Sequence, residues 1–157
     1  MKNLTVCLIL VLITYSAKGA ELKLVGTALA EFSIFKIDVY QISYYRGENG
    51  EEEIHLDYKR DVKKKYSIMG WEEGLEPILK DKPEFKAKYN WIINQVVDLK
   101  EGDLYVIRKN KDKVTMLKNN SLIGEVKDSV IASLVFEPWI GKTPVDTDIK
   151  AKLLKNN

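Results

Sequence analysis

The chain has 157 residues, 45% of them hydrophobic, with one histidine and one cysteine. Its 25 basic and 23 acidic residues leave no basic surplus that points to nucleic acid or to anionic lipid, although local patches remain open. The single Cys7 lies in an N-terminal apolar run, so the rest of the chain has no disulfide, no thiol nucleophile and no thiolate metal site.

Lys2, the apolar run from Leu4 to Ile13, and the small residues Ala17 and Gly19 form the pattern of a secretory signal peptide cleaved before Ala20. The run is too short to span a bilayer, and Cys7 comes too early in it to be an acylated lipoprotein cysteine. Loss of residues 1–19 removes Lys2 and Lys18 and leaves 23 basic against 23 acidic residues. Residues 20–157 are enough to bury a workable core without bridges, so one domain is expected, periplasmic or secreted.

Two segments rich in β-branched and aromatic residues, 22–32 and 34–45, are predicted strands, followed by the turn Arg-Gly-Glu-Asn-Gly. The third strand alternates cleanly: Ile54, Leu56 and Tyr58 face one way, and Glu53, His55, Asp57 and Lys59 the other. Helical spacing begins at Ile68 and continues through Trp71, Leu75, Ile78 and Leu79. Gly70, Gly74 and Pro77 predict a kink or break there. A second helix over 82–98 starts on Pro83 and carries the stripe Phe85, Tyr89, Ile92, Ile93, Val96 and Val97. Three short strands follow, separated by Asn-Lys-Asp and Asn-Asn turns. Asp128 caps a helix bearing Val130, Ile131, Leu134 and Val135 that stops near Pro138. The last helix starts near Pro144 and buries Val145, Ile149, Leu153 and Leu154. The order β-β-β-α-α-β-β-β-α-α implies an α+β domain, an antiparallel sheet with helices packed on one face.

The sequence offers little conventional chemistry. His55 falls on the polar face of its strand, where a solvated residue is the simplest reading. No phosphate loop, dinucleotide fingerprint or metalloprotease motif is present. Asp146 and Asp148 form a carboxylate pair at a helix start, where capping and the helix dipole account for them. Neither a metal nor a cofactor is expected.

The segments "LVGTALAEFSIFKIDVYQISYY", "LDYKRDV", "DLKEGD", "NNSLIGEVKD" and "PWIGKTPVDTDIKAKLL" occur in this order. Together they resemble the chalcone isomerase-like proteins of bacteria, over nearly all of the chain after residue 20. The resemblance implies an antiparallel sheet with helices laid across it and a cleft between them, with Trp139 buried at the join of the last two helices. In the enzymes of this family a cleft arginine follows a G-x-G-L signature and stabilises an enolate. The matching run here is Gly26 to Ala30, which puts Ala30 at the arginine's position. The threonine that polarises the substrate ketone falls on Phe35. Tyr89 and Asn94 match the region that supplies the enzymes' tyrosine and asparagine, although Tyr89 also belongs to the apolar stripe of its helix. With Ile37 and Val39, these residues outline an apolar cleft: Ala30, Phe35, Ile37, Val39, Tyr89 and Asn94. The resemblance therefore implies a non-catalytic domain that binds a small apolar, fatty-acid-like ligand or a protein partner. The alternatives are an isomerase in which Tyr89, Asn94 or Lys36 replaces the arginine, and an interaction protein whose cleft is closed.

Overall fold

A computed structural model describes residues 21–32 and 37–155. The predicted signal peptide, Phe35 and Lys36 lie outside the described residues. Six strands form one sheet: β1 (Lys23–Phe32), β2 (Ile37–Arg46), β3 (Glu51–Tyr58), β4 (Leu104–Asn110), β5 (Lys113–Lys118) and β6 (Ser121–Lys127). Each strand pairs antiparallel with the next in sequence. The β3–β4 connection holds α1 (Lys64–Asp81), a 3₁₀ turn over Pro83–Phe85, and α2 (Lys86–Asn94). After β6 come α3 (Ser129–Leu134), the single turn α4 (Glu137–Ile140) and α5 (Thr147–Leu153). This is the expected α+β arrangement.

The strand alternation sorts side chains as its period of two requires. Cross-strand partners place Ala30, Tyr40 and Tyr58 in one row of the helix-covered face, and Ala28, Ile42, Leu56 and Tyr105 in the next. A third row holds Gly26, Tyr44, Ile54, Ile107 and Met116. Trp71 and Leu75 of α1, Tyr89 and Ile92 of α2, and Ile131, Leu134, Phe136 and Trp139 from the C-terminal helices complete the core. The Asn119–Asn120 turn between β5 and β6 has positive φ at both residues, 49° and 66°, which suits asparagine and matches the twist of a tight hairpin.

Two close approaches fix how the layers meet. A Cβ on Gly26 would lie 2.4 Å from the Lys152 carbonyl oxygen, so α5 can rest on β1 only over a glycine. A Cβ on Gly74 would lie 2.6 Å from Cβ of Pro138, which seats α4 directly against α1.

The helices differ from the sequence reading in four places. The last helix starts at Thr147 behind its Asp146 cap rather than near Pro144, which leaves Val145 outside it and 48% exposed. α1 runs unbroken through Gly70, Gly74 and Pro77. Pro77 and Glu73, whose carbonyl loses its usual donor to proline, are both exposed, so water can serve that carbonyl. The segment 82–98 is helical only over the 3₁₀ turn and α2, and Gln95 ends it by donating from Nε2 to the Trp91 carbonyl at 3.0 Å. Pro138 starts a helical turn rather than stopping one, because its missing N–H costs nothing in the first turn of α4. Asp128 and Asp146 do cap α3 and α5, each accepting two backbone N–H groups at 2.7–3.0 Å. A cap of this type contributes about 1 kcal/mol.

Candidate binding site between sheet and helices

At the β1–β2 end of the covered face the core becomes aromatic. Ala30 is buried opposite Tyr40, and the Tyr40 ring lies 5.1 Å from that of Tyr58. Trp139 of α4 donates from Nε1 to the Tyr40 hydroxyl at 3.4 Å, and its ring meets Trp71 of α1 edge-on at 5.2 Å. Ser67, one turn before Trp71, lies beside the Tyr58 hydroxyl, where it lowers that group's pKa. Its Oγ is buried, and the Tyr58 hydroxyl is the polar group it meets. Burial raises the pKa of Tyr40 and Tyr58 well above the ordinary phenol value. Both hydroxyls therefore stay neutral, and they can donate a hydrogen bond but supply no charge.

The predicted cleft residues are only partly gathered here. Ala30 stands in the Tyr40–Tyr58 row. Val39 is the extra residue of a bulge in β2, between the pairs Ala30–Tyr40 and Glu31–Asp38, and it packs against the core. Ile37 is half-buried at the start of β2. Tyr89 is core, as its place in the apolar stripe implied. Burial, and then the charge and hydrogen bonding of Glu72, push its pKa up to about 12. Asn94 is exposed at the end of α2 and joins none of the others. The sequence reading missed Tyr40, Ser67 and Trp71 as site residues. Trp71 was visible as core, but only the folded sheet brings Tyr40 and Ser67 together from either side of Tyr58.

The motifs that carried the resemblance turn out to be joints. Arg60 donates from Nε to the Asp38 carbonyl at 2.7 Å, tying the exit of β3 to the start of β2. Asp61 accepts from Lys100 Nζ at 2.9 Å and from the Glu101 N–H at 3.0 Å, linking "LDYKRDV" to "DLKEGD". Asp103 accepts from the Lys100 N–H, Lys118 and Asn119, which together lower its pKa to about 2. In "FEPWIGKTPVD", the Val145 N–H donates to the Pro138 carbonyl at 2.9 Å, and Glu137 accepts the Lys142 N–H at 3.0 Å.

The uncovered face of the sheet carries a separate polar network. His55 is on this face, as the alternation predicted, but it is engaged. Its Nε2 is 2.6 Å from Glu53, and its ring meets that of Tyr45 at 4.6 Å with a tilt of 43°. Arg108 also donates to Glu53, which is buried although the face is polar. Burial works to raise the Glu53 pKa, but the His55 and Arg108 hydrogen bonds outweigh it and hold the carboxyl below its usual value. Among the described residues no group of three or more His, Cys, Asp or Glu is placed to hold a metal ion, and no helix is long and apolar enough to cross a membrane.

Comparison with known proteins bears on this geometry at the level of fold. The crystal structure of an Arabidopsis thaliana fatty-acid binding protein superposes with a TM-score of 0.72 at 13% identity, covering 88% of this chain and 89% of that one. No curated protein sequence matches. The family model described as chalcone isomerase-like matches residues 9–155, nearly the whole sequence, and the chain belongs to that family.

Proposed function

We propose that this protein is an exported, non-catalytic member of its family that binds a small apolar, fatty-acid-like ligand between sheet and helices. The observation that carries this reading is the row Ala30–Tyr40–Tyr58. Ala30, which the motif match puts at the arginine's position of the family's enzymes, is buried, and its neighbours are neutral aromatic hydroxyls. Enolate chemistry needs charge stabilisation that grows at the transition state, and a fixed guanidinium supplies it where a methyl group cannot. Aromatic side chains suit an acyl chain, and the buried Ser67 and Tyr58 hydroxyls offer hydrogen bonds to a polar end. The fatty-acid binding protein of the same fold supports this choice of ligand class. The N-terminal pattern supports export to a bacterial periplasm or medium.

Native mass spectrometry of protein purified from its own compartment tests both parts. The expected result is a chain beginning at Ala20 that carries a lipid-sized adduct, with saturable binding of fatty acids in titration. An adduct-free protein with no saturable response would overturn the ligand reading in favour of an interaction protein with a closed cleft. A retained Met1 would overturn the export reading.

A further inference from the structure

We propose that the ligand held between sheet and helices has an uncharged polar end, an ester, an alcohol or a protonated acid, and that the site discriminates against carboxylates. This narrows the ligand class given above and rests on that reading.

The polar groups of the site come from four elements. Tyr40 stands on β2 with Tyr58 beside it on β3, Ser67 comes from α1 and Trp139 from α4. The Tyr40 hydroxyl accepts the Trp139 indole N–H at 3.4 Å, which leaves its own proton to donate. The Tyr58 and Ser67 hydroxyls meet each other, and each can donate as well as accept. A carbonyl or hydroxyl oxygen is the partner that such a set satisfies. None of its members brings a positive charge.

The charged side chains of the surrounding elements are engaged elsewhere. Glu31 of β1 and its partner Asp38 of β2 are exposed. Asp57 alternates onto the uncovered face of β3 and holds Lys59 at 2.6 Å, and Arg60 gives its Nε to the Asp38 carbonyl at 2.7 Å. On α1, Lys63 reaches Asp98 at 3.7 Å, Lys65 lies over the Tyr66 ring at 4.8 Å, Glu72 lies by Tyr89, and Lys64 and Glu73 are exposed. At α4 and α5, Glu137 accepts the Lys142 N–H at 3.0 Å and Lys150 donates to the Gly141 carbonyl at 2.5 Å. Arg46, Glu52 and Lys109 gather around the Tyr44 hydroxyl, two rows further along the sheet.

The phenols register the same arrangement. Burial dominates the pKa of both Tyr40 and Tyr58 and raises it, and only the Trp139 indole and the Ser67 hydroxyl act to lower it. No cation among the described residues contributes. A carboxylate placed here would lose its water and gain no counter-ion, and an unpaired buried charge is answered by protonation. A fatty acid therefore enters in its neutral form, whereas an ester or an alcohol enters unchanged.

Titration of the purified protein with lauric acid, lauryl alcohol and methyl laurate tests this, over a range from about pH 5 to about pH 8. Tryptophan fluorescence reads occupancy, because Trp71 and Trp139 border the site. The expected result is saturable binding of the alcohol and the ester that does not change with pH. The apparent affinity for lauric acid should fall by about tenfold per pH unit above the acid's own pKa. Tyr40→Phe/Tyr58→Phe keeps both rings and removes their protons, and it should weaken the ester by about fivefold or more. An unchanged ester affinity in that variant would overturn the role given to the hydroxyls. Laurate bound as tightly as the alcohol at about pH 8 would overturn the proposal and leave the ligand reading standing, with Lys36, between β1 and β2 in the sequence, as the cation to replace. No saturable response to any of the three probes would overturn both.

Discussion

The indole of Trp139 donates to the hydroxyl of Tyr40, which joins the single turn of α4 to the second strand of the sheet at 3.4 Å. The same indole meets Trp71 edge-on, so one side chain bridges three elements from distant parts of the sequence. Trp139→Ala should cost about 3–5 kcal/mol, the range for a large aromatic truncated in a core. Urea unfolding measures this, and an unchanged midpoint would mean that the ring is not buried. Trp139→Phe should recover much of the loss, because it keeps the contact with Trp71 and forfeits only the weak hydrogen bond.

Gly74 gives a prediction whose sign is unusual. Replacing glycine by alanine inside a helix ordinarily stabilises by about 1 kcal/mol. Here the new Cβ would sit 2.6 Å from Cβ and 2.8 Å from Cγ of Pro138, neither of which belongs to a flexible chain. Gly74→Ala should therefore destabilise, and Gly70→Ala, which meets nothing within 4 Å, should stabilise. Thermal unfolding of the two variants side by side separates propensity from packing.

Glu53 sets a pH dependence. Its folded pKa lies below the ordinary 4.5 because the His55 and Arg108 hydrogen bonds prevail over burial. A lowered folded value means that the stabilisation is complete above the unfolded pKa and drains away as pH falls through the folded one. Glu53→Gln should lose about 1–3 kcal/mol at neutral pH, the cost of a buried charged hydrogen bond. The gap between variant and wild type should narrow below pH 4.5. Urea midpoints across that range read it directly.

Chalcone cyclisation should show no saturable dependence on this protein. Loss of one preorganised donor typically costs about 3 kcal/mol, roughly a hundredfold in rate. On the proposed match of Ala30 to the arginine's position the donor is gone, and the neutral hydroxyls of Tyr40 and Tyr58 cannot restore its charge. The decay of chalcone absorbance with and without protein, over a range of pH, is the measurement. A saturable rate would direct attention to Lys36 and Tyr89 as substitutes.

What could be read in advance follows from the range of each cause. The period-two pattern of β3, the aspartate caps of α3 and α5, and the Asn119–Asn120 turn are decided within a few residues, and all were legible. The continuity of α1 was not, because whether Pro77 breaks a helix depends on whether water reaches the Glu73 carbonyl. The burial of Glu53 on a polar face was hidden for a similar reason, since Arg108 arrives from a strand 55 residues away. Ala30 was found by its place in a motif. Tyr40, Tyr58 and Ser67 belong to three elements with no common spacing, and only the β2–β3 register and the seating of α1 make them neighbours.

The contact of Gly26 with the carbonyl groups of Lys152 and Leu153 means that the first strand is covered by the last described helix. A nascent chain can pair β1, β2 and β3 early, but part of the apolar face of that meander stays bare until the sequence through Leu153 has been made. Closure over so long a separation is entropically slow, and it keeps a newly made chain loose for longer than a domain that packs from its beginning onward. On the proposed export route, in which the chain is threaded through a membrane before it folds, that delay is useful. Gly26, by admitting the closing helix, sets when the window ends.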